Sequence, residues 1–179
     1  MNKILLFKNK FLKDSRGHFV KYFPLKNLQI SKNFNMKEFY ITKSKKNTIR
    51  GMHLQISKKS LNKIVFVYYG EILDVVVDLR KNSKNFKKNF CYKLSHINNS
   101  SVYIPKGFAH GFLVLSDYAI VGYITDNVYD FKYDTGFHYN SFNFPWKKYI
   151  KKNNKKIVKE IISMRDRNLI EFNKFKHYV

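Results

Sequence analysis

The chain has 179 residues, 44% of them hydrophobic, and a formal net charge of +23 at pH 7. This length fits one domain with a sizeable core, and the apolar fraction excludes a disordered chain. The charge suggests a phosphate-rich partner, but the basic residues are mostly Lys spread along the chain, whereas proteins that read bases rely on Arg. We therefore expect no nucleic-acid partner and interpret the lysine-rich run at 147–156 as a solvated face.

The compartment is indicated by two features. Cys91 is the single cysteine, so no disulfide can form within the chain, which favours a reducing environment. The N-terminal apolar run of four residues before Lys8 is too short for the core of a signal peptide or for a membrane span. We expect a cytoplasmic protein with no membrane partner.

Short segments rich in β-branched and aromatic residues follow one another along the chain, with Gly, Asn, Asp or Ser at most breaks. These segments are 4–7, 18–23, 38–44, 63–69, 71–79, 90–95, 101–105, 111–116 and 119–125. Short strands without helical patterns between them predict an antiparallel sandwich or barrel, in one domain covering 1–179. Gly70 with Glu71, and the segment 116–119, predict hairpin turns.

The pattern changes after Trp146, where the helical tail is predicted to begin at about residue 147. Apolar residues at helical spacing predict a helix that packs on the barrel. These residues are Ile157, Val158, Ile161 and Ile162. The predicted fold class is therefore mainly β with a few short helices, including a C-terminal one.

The first segment with chemical potential is IRGMHLQ. Alternate side chains of a strand share a face, so His53 and Gln55 point the same way. Gly51 allows another group to come close to the backbone. The segment therefore offers an imidazole and an amide to one side of a sheet.

The second such segment matches half of the signature of the cupin barrels, as Pro105, Gly107 and His110. Cupins commonly hold a metal through several His side chains, and the other half of their signature reads His-x-His. Here it reads His53-x-Gln55, and an amide oxygen is a poor ligand for a transition metal. The sequence therefore predicts a cupin jelly-roll barrel with no metal site.

Five segments resemble, in order and at similar spacing, the motifs of the dTDP-4-dehydrorhamnose 3,5-epimerase family. They are DSRGHFVKYF, IRGMHLQ, NKIVFVYYGEILDVVVDLRKNSKNF, YIPKGFAHGFLVLSD and ISMRD. The resemblance runs from about Asp14 to Asp166. It implies a cupin that works without a cofactor, as a homodimer in which the N-terminal strand crosses to the neighbouring subunit.

The resemblance implies an isomerase that inverts carbon 3, with or without carbon 5, of a nucleotide-linked 4-keto sugar in surface or capsular polysaccharide biosynthesis. The ketone acidifies the neighbouring hydrogens, because the resulting carbanion is delocalised as an enolate. His53 is the implied base, since an unperturbed imidazole is mostly neutral at pH 7. Asp166 matches the carboxylate that orients this His, and Lys63 matches a cation that stabilises the enolate.

Further positions match residues that hold the substrate. Arg50 is placed to bind a phosphate, and so is Arg16, which in the family reaches the partner subunit together with Phe19. His110 matches a His that contacts the substrate. The other candidates for substrate contact are Gln55, Tyr123 and Tyr139.

One departure concerns the general acid, which in the family is a Tyr within YxxTxxYY. Val128 stands at its position here. Tyr129 can take over if the strand carries a bulge, because a shift of one residue turns each side chain to the other face; Tyr123 and Tyr139 are weaker substitutes. A general acid contributes about 10² to 10⁴ in rate, so its displacement suggests inversion of one carbon instead of two.

A second departure concerns the nucleotide. Family positions that contact thymine and its sugar, usually Gln and Asn, fall here at Glu38 and Tyr40. A carboxylate only accepts hydrogen bonds, which suits the N–H groups on the edge of guanine, so we predict a GDP-linked hexose or heptose. The alternatives are a catalytically altered sugar-binding cupin and a sugar ketoisomerase built on the same barrel.

Overall fold

The computed structural model describes residues 3–22, 34–150 and 159–177. The strands are β1 (Leu5–Lys8), β2 (Lys10–Asp14), β3 (Gly17–Lys21), β4 (Glu38–Lys45), β5 (Ile49–Gln55), β6 (Lys63–Tyr69), β7 (Glu71–Asp78), β8 (Asn89–Ser95), β9 (Ser100–Ile104), β10 (Phe108–Val114), β11 (Tyr118–Thr125) and β12 (Asp134–Gly136). The helices are α1 (Trp146–Tyr149) and α2 (Met164–Arg167), with single 3-10 turns at Ser57–Lys59 and Phe172–Lys174. The prediction of a mainly β protein with short helices is confirmed.

Two five-stranded antiparallel sheets face each other. The first sheet has the order β1-β9-β6-β11-β4 and the second has the order β12-β5-β10-β7-β8. Residues of both sheets meet in one buried apolar cluster, in which Val65 and Val121 of the first sheet pack with Val76 and Phe112 of the second. Strands β2 and β3 form a separate two-stranded sheet whose residues are almost all exposed.

The outer face of the second sheet is also buried, because the C-terminal part of the chain covers it. Phe137, Trp146 and Phe175 pack there against Val75 and Leu113 of the sheet. Burial on both faces explains why β7 reads as a nearly continuous apolar run instead of an alternating pattern.

The two predicted hairpins are wrong in one respect. The chain does turn at Gly70 and at 116–119, but β6 and β7 lie in different sheets, and so do β10 and β11. Both turns therefore carry the chain from one sheet to the other, as in a jelly roll. Turn residues in the sequence predict that the chain reverses its direction, but they do not predict which strands pair with each other.

The predicted C-terminal helix is only partly found. Ile157 and Val158 lie outside the described residues, and Ile161 forms a parallel bridge with Thr48 instead of a helical turn. The Ile161 N–H donates to Asn47 O (2.9 Å), and its carbonyl accepts from Ile49 N (2.9 Å). The short helix α2 begins just beyond this bridge. Among the described residues, no helix has the length and apolar character needed to span a bilayer.

Candidate active site

A cavity of about 670 Å³ opens between the two sheets. The first sheet contributes cavity-lining side chains from β4, β6 and β11, and the second contributes them from β5, β10 and β12. The polar residues that line it include Glu38, Tyr40, Arg50, His53, Gln55, Lys63, His110, Tyr123, Tyr129, Asp134, Arg165 and Asp166. Most residues that the sequence singled out are thus brought to one place.

His53 and Asp166 form the central pair of this cavity. The His53 Nε2 lies 3.0 Å from Asp166 Oδ1, and the Asp166 side chain is almost fully buried. The other imidazole nitrogen, Nδ1, is buried and makes no hydrogen bond within the part of the chain that is described. An Nε2–H that donates to the carboxylate leaves Nδ1 as the unprotonated nitrogen of the ring.

Hydrogen bonds hold both the backbone and the carboxylate of Asp166. Ser163 caps α2 by accepting from the Asp166 N–H (3.1 Å), and Asp166 Oδ2 accepts from the Gly51 N–H (3.0 Å). Burial acts to raise the pKa of Asp166, but the bonds from His53, Gly51 and Ser163 outweigh it and lower this pKa below its usual range. Asp166 is therefore an anion that fixes the tautomer of His53.

Strand β10 comes close to the backbone of Gly51, as its position in the sequence suggested. A Cβ atom there would lie 2.6 Å from Gly111 Cα and 2.6 Å from His110 O of the neighbouring strand β10. This close packing of β5 and β10 sets His53 directly beside His110 in register.

A second His–carboxylate pair lies on the same wall, and its acid was missed in the sequence. His110 Nε2 lies 2.6 Å from Asp74 Oδ2, and both side chains are buried. The remaining oxygen, Asp74 Oδ1, is buried without a hydrogen bond among the described residues. The available signal was a charged residue inside the apolar run of β7, since a buried carboxylate needs a partner.

Lys63 lines the cavity from the first sheet. Burial lowers its pKa, while the carboxylates of Asp134 and Asp74 act in the opposite direction. The protonated form of Lys63 is therefore less stable than that of an ordinary lysine. Any negative charge that develops in the cavity would stabilise it.

Arg50 lies at the edge of the cavity nearest the turn between β4 and β5. Its Nε donates to Ser44 Oγ (2.8 Å), which fixes the guanidinium on this side. Lys43, Lys45 and Thr48 line the same end of the cavity. This end suits an anionic group.

Gln55 faces the cavity, but its amide holds a loop. Its Oε1 accepts from Asp130 N (2.6 Å), and its Nε2 donates to the carbonyls of Lys59 and Val128 (3.3 Å each). The loop begins at the end of β11, after Thr125, and places Tyr129 among the cavity-lining residues. The bulge expected at Tyr129 is therefore wrong, because this residue lies in a loop and not in a strand.

Tyrosines form the wall that faces the two His residues. The Tyr40 ring stacks on the Tyr123 ring at 4.7 Å and 14°, and the Tyr123 ring meets the His110 ring edge-on at 6.3 Å. Burial raises the pKa of Tyr123 strongly and that of Tyr40 to about 12. Both phenols keep their protons at neutral pH. At the mouth, Glu38 Oε2 accepts from Tyr129 N (3.0 Å).

Arg165 and Asp134 also line the cavity, and neither was foreseen from the sequence. Arg165, which directly precedes Asp166, pairs with Asp134 of β12 through one terminal nitrogen. Tyr129 also interacts with both side chains, and burial together with Asp134 raises its pKa. The only signal was the position of Arg165 within the ISMRD motif.

Three proposed site residues lie elsewhere in the chain as described. Arg16 is highly exposed and pairs with Asp14 (2.6 Å) at the tip of the β2–β3 sheet, and Phe19 is exposed on the same sheet. Tyr139 is placed wrongly by the sequence argument: it is buried behind the second sheet, where its hydroxyl donates to Glu160 (2.7 Å). The reason is that the chain leaves the cavity wall after β12 and crosses to the outer face.

Among the described parts of the chain, no group of three or more His, Cys, Asp or Glu side chains is arranged to hold a metal ion. His53 and His110 each have one ring nitrogen engaged by a carboxylate.

The chain is similar to proteins of one family. Residues 1–174 match the family described as dTDP-4-dehydrorhamnose 3,5-epimerase. A protein of that name from Shigella flexneri is 36% identical over 147 residues, which cover 80% of this chain and 81% of that protein.

Solved structures give the same result. A Bacillus anthracis dTDP-4-dehydrorhamnose 3,5-epimerase with TDP and PPi bound has a TM-score of 0.83 and 33% identity, covering 94% of this chain and 93% of that one. A Legionella pneumophila dTDP-6-deoxy-D-glucose-3,5-epimerase in complex with dTDP-4-keto-L-rhamnose has a TM-score of 0.84 and 29% identity, covering 97% and 89%. The cupin-like fold predicted from the sequence is confirmed.

The electrostatics of Lys63 lead to a stability prediction. Replacing Lys63 with Met removes a partly buried charge whose pKa desolvation has lowered, so we expect the free energy of unfolding at pH 7 to rise by about 1 kcal/mol. Because folding lowers the Lys63 pKa below its usual value of 10.5, the unfolded chain binds more protons between these two pKa values. The free energy of unfolding of the wild type therefore rises as the pH rises through this range. The difference in stability between wild type and Lys63→Met becomes smaller.

Urea denaturation at pH 7 and near pH 10.5 measures this effect. The matched control is Lys132→Met at an exposed position, for which we expect little change at either pH. A Lys63→Met variant that is less stable than wild type at pH 7 would contradict this prediction.

Proposed function

Since the chain belongs to the dTDP-4-dehydrorhamnose 3,5-epimerase family, and so to the isomerases, we propose that it inverts carbon 3, with or without carbon 5, of a nucleotide-linked 4-keto sugar. The observation that carries this proposal is the buried His53–Asp166 pair on the cavity wall. Its free imidazole nitrogen removes the hydrogen next to the ketone, and Asp166 stabilises the imidazolium that forms.

The negative charge of the enolate requires a cation. Lys63 lines the same cavity, and a partly desolvated ammonium group stabilises charge that develops during the reaction more than it stabilises a neutral ketone. The negative charge of the enolate in turn raises the pKa of Lys63, which burial has lowered. Lys63 thus acts on the reaction intermediate more than on the ground state.

Polar groups around the base hold the substrate. Arg50, at the cationic end of the cavity, binds the pyrophosphate. His110, supported by Asp74, contacts an oxygen of the sugar. Tyr123 packs against the sugar ring beside His110. Gln55 keeps the loop that carries Tyr129 in place.

Inversion also needs a proton donor on the other face of the sugar. Val128 leaves the usual family position without a phenol. Tyr129 and Tyr123 are the candidates that the motif provides, and the fold adds Tyr40.

The nucleotide is proposed to be GDP. The names of the relatives refer to dTDP-linked sugars, but Glu38 at the cavity mouth can only accept hydrogen bonds. Guanine offers N–H donors on its edge and thymine offers a mixed set, so a carboxylate favours guanine. The sugar is a hexose or heptose destined for a surface or capsular polysaccharide.

The working unit is proposed to be a homodimer. The β2–β3 sheet has two strands and is marginal by itself, yet it exposes Phe11, Leu12 and Phe19. Docking on a partner subunit would bury these side chains and bring Arg16 and Phe19 to the partner's cavity. The free, exposed Cys91 agrees with a reducing compartment, the cytoplasm.

A second candidate function follows from Val128. A barrel that has lost its general acid can bind a nucleotide sugar without inverting it, or can move the ketone between carbons. Both alternatives use the same cavity and differ in what happens to the hydrogens of the sugar.

Hydrogen exchange in heavy water tests the function. We expect GDP- or dTDP-4-keto-6-deoxyhexose to acquire deuterium at carbon 3, or at carbons 3 and 5, when incubated with the protein and followed by NMR. Removal of the base in His53→Ala should lower incorporation by at least about 100-fold. The matched control, His138→Ala, removes an imidazole outside the cavity lining and should exchange like the wild type.

Each pattern in these spectra has one meaning. Label at carbon 3 alone indicates a single epimerase, and label at both carbons indicates a double epimerase. A shifted ketone indicates a ketoisomerase. Binding without any label, or full labelling by His53→Ala, would refute the proposed mechanism.

Glu38→Gln tests the choice of nucleotide. The amide replaces a charged acceptor, so we expect the Kd for GDP to rise about tenfold, equivalent to about 1.4 kcal/mol, with a smaller effect on dTDP. Isothermal titration with GDP and with dTDP measures both constants, and Glu71→Gln, outside the cavity, is the control. An unchanged Kd for GDP would remove the proposal for guanine.

Mixed dimers test the exchange of the N-terminal sheet. Arg16→Ala and His53→Ala should each be nearly inactive alone. If Arg16 serves the partner's cavity, co-refolding equal amounts should restore about a quarter of the wild-type activity, because half of the dimers are mixed and each has one intact site. A mixture as inactive as its two components would show that Arg16 acts within its own subunit or not at all.

A further inference from the structure

The short helix α2 is tied to the second sheet by two consecutive side chains. Asp166 reaches β5, where it pairs with His53. Arg165 reaches β12, where one terminal nitrogen of its guanidinium pairs with the Asp134 carboxylate. Since β12 and β5 are neighbouring strands, the two side chains hold the helix at two points on one wall of the cavity.

Strand β12 gives the contact with Arg165 a firm support, because it packs closely against the strand that carries the base. Gly136 of β12 is in register with His53, and a Cβ atom at Gly136 would overlap the carbonyl oxygen of Met52. The Phe137 N–H also donates to Met52 O (3.1 Å). The side chain of Asp134, which is only 8% exposed, therefore lies at a fixed position relative to His53.

Backbone contacts hold the chain before and after α2. Ile161 is bridged to Thr48, and the carbonyl of Ile170 accepts from the His138 N–H (2.8 Å). These anchors are four or five residues away from Asp166 in the sequence. They bring the helix close to β5 but do not set the direction of the carboxylate.

Two points of attachment fix the rotation of α2 about its own axis, which a single point would leave free. Consecutive residues of a helix are turned by about 100° relative to each other, so Arg165 and Asp166 reach different strands. A rotation of α2 would displace the Asp166 carboxylate from the Gly51 N–H and from the imidazole of His53. The contact between Arg165 and Asp134 opposes this rotation.

The surroundings of Arg165 suit this task better than the binding of a substrate anion. Its guanidinium is already paired with Asp134, and the Tyr129 phenol is hydrogen-bonded to both side chains. An anion that drew Arg165 away would leave the Asp134 carboxylate with little access to water and without this partner, which costs free energy.

We propose that Arg165, through its contact with Asp134, positions the Asp166 carboxylate at His53. Arg165 is thus a positioning residue, which acts on Asp166, and Asp166 in turn acts on the imidazole. The consequence for the reaction rests on the proposed function. The effect on Asp166 is a property of the protein alone and can be measured without a substrate.

Amide hydrogen exchange followed by NMR measures the position of Asp166. The Gly51 N–H donates to Asp166 Oδ2 (3.0 Å), so its protection reports that bond. In Arg165→Met, we expect the protection factor of Gly51 to fall at least about tenfold, while that of Phe137, whose N–H joins β12 to β5, stays unchanged. Full protection of Gly51, or an equal fall at both amides, would overturn the positioning role.

Two further variants sharpen this measurement. Arg167→Met removes the other arginine of α2, which is exposed and is not among the residues that line the cavity; it is the matched control and should protect Gly51 like the wild type. Asp134→Ala should lower the protection as Arg165→Met does, and combining the two changes should lower it no further, because each removes the same contact. Losses that multiply in the double variant would overturn the role of the pair.

The reaction supplies the second readout. With dTDP- and GDP-4-keto-6-deoxyhexose in heavy water, we expect Arg165→Met to lower the kcat of deuterium incorporation about 10- to 100-fold, with KM changed by less than about twofold. A raised KM at unchanged kcat would assign Arg165 to substrate binding and overturn its positioning role. Absence of His53-dependent incorporation by the wild type with both sugars would overturn the proposed function, whereas a selective loss of Gly51 protection in Arg165→Met would still support the placement of Asp166 by Arg165.

Discussion

The hydrogen bond between His53 and Asp166 joins residues 113 positions apart in the sequence, and the arrangement of the cavity depends on it. Asp166 reaches His53 because Ile161 is bridged to Thr48 and because α2 follows directly afterwards, with Ser163 as its N-cap. The same carboxylate accepts from the backbone of Gly51, so the orientation of the imidazole is tied to the strand that carries it. Two bonds to one buried anion thus set the tautomer, the ring position and the path of the C-terminal segment.

The two sheets divide the chemistry between them. The second sheet carries both His residues, in register with each other on β5 and β10, and Asp74 on β7, while Asp166 comes from α2. The first sheet carries the phenols and Lys63. Sheets that pack face to face lie about 10 Å apart, a distance that lets groups on facing walls address the two sides of one ring. The two walls thus present imidazoles and phenols from opposite sides of the cavity.

Much of the site could be predicted from the sequence, because short motifs carry His53 and His110 on strands. Asp166 was accessible only through the family resemblance, since no local pattern links it to His53. Asp74 was missed because an alternating pattern is lost in a strand buried on both faces. The helix predicted around Ile161 was wrong, because helical spacing does not reveal that a neighbouring strand offers its backbone groups for pairing. Tyr129 was placed on a strand, because the turn positions within YITDNVY cannot be predicted from composition.

The late position of Asp166 has a consequence for biosynthesis. Both sheets are encoded before the segment that supplies the carboxylate, so a nascent chain on the ribosome can acquire its barrel while His53 still lacks a partner. A product of premature termination before this codon would contain the barrel strands with His53, but its imidazole would have no carboxylate partner and would be free to adopt either tautomer. Such a fragment would also lack Phe172 and Phe175, so apolar surface on the outer face of the second sheet would be left uncovered and open to recognition by quality control.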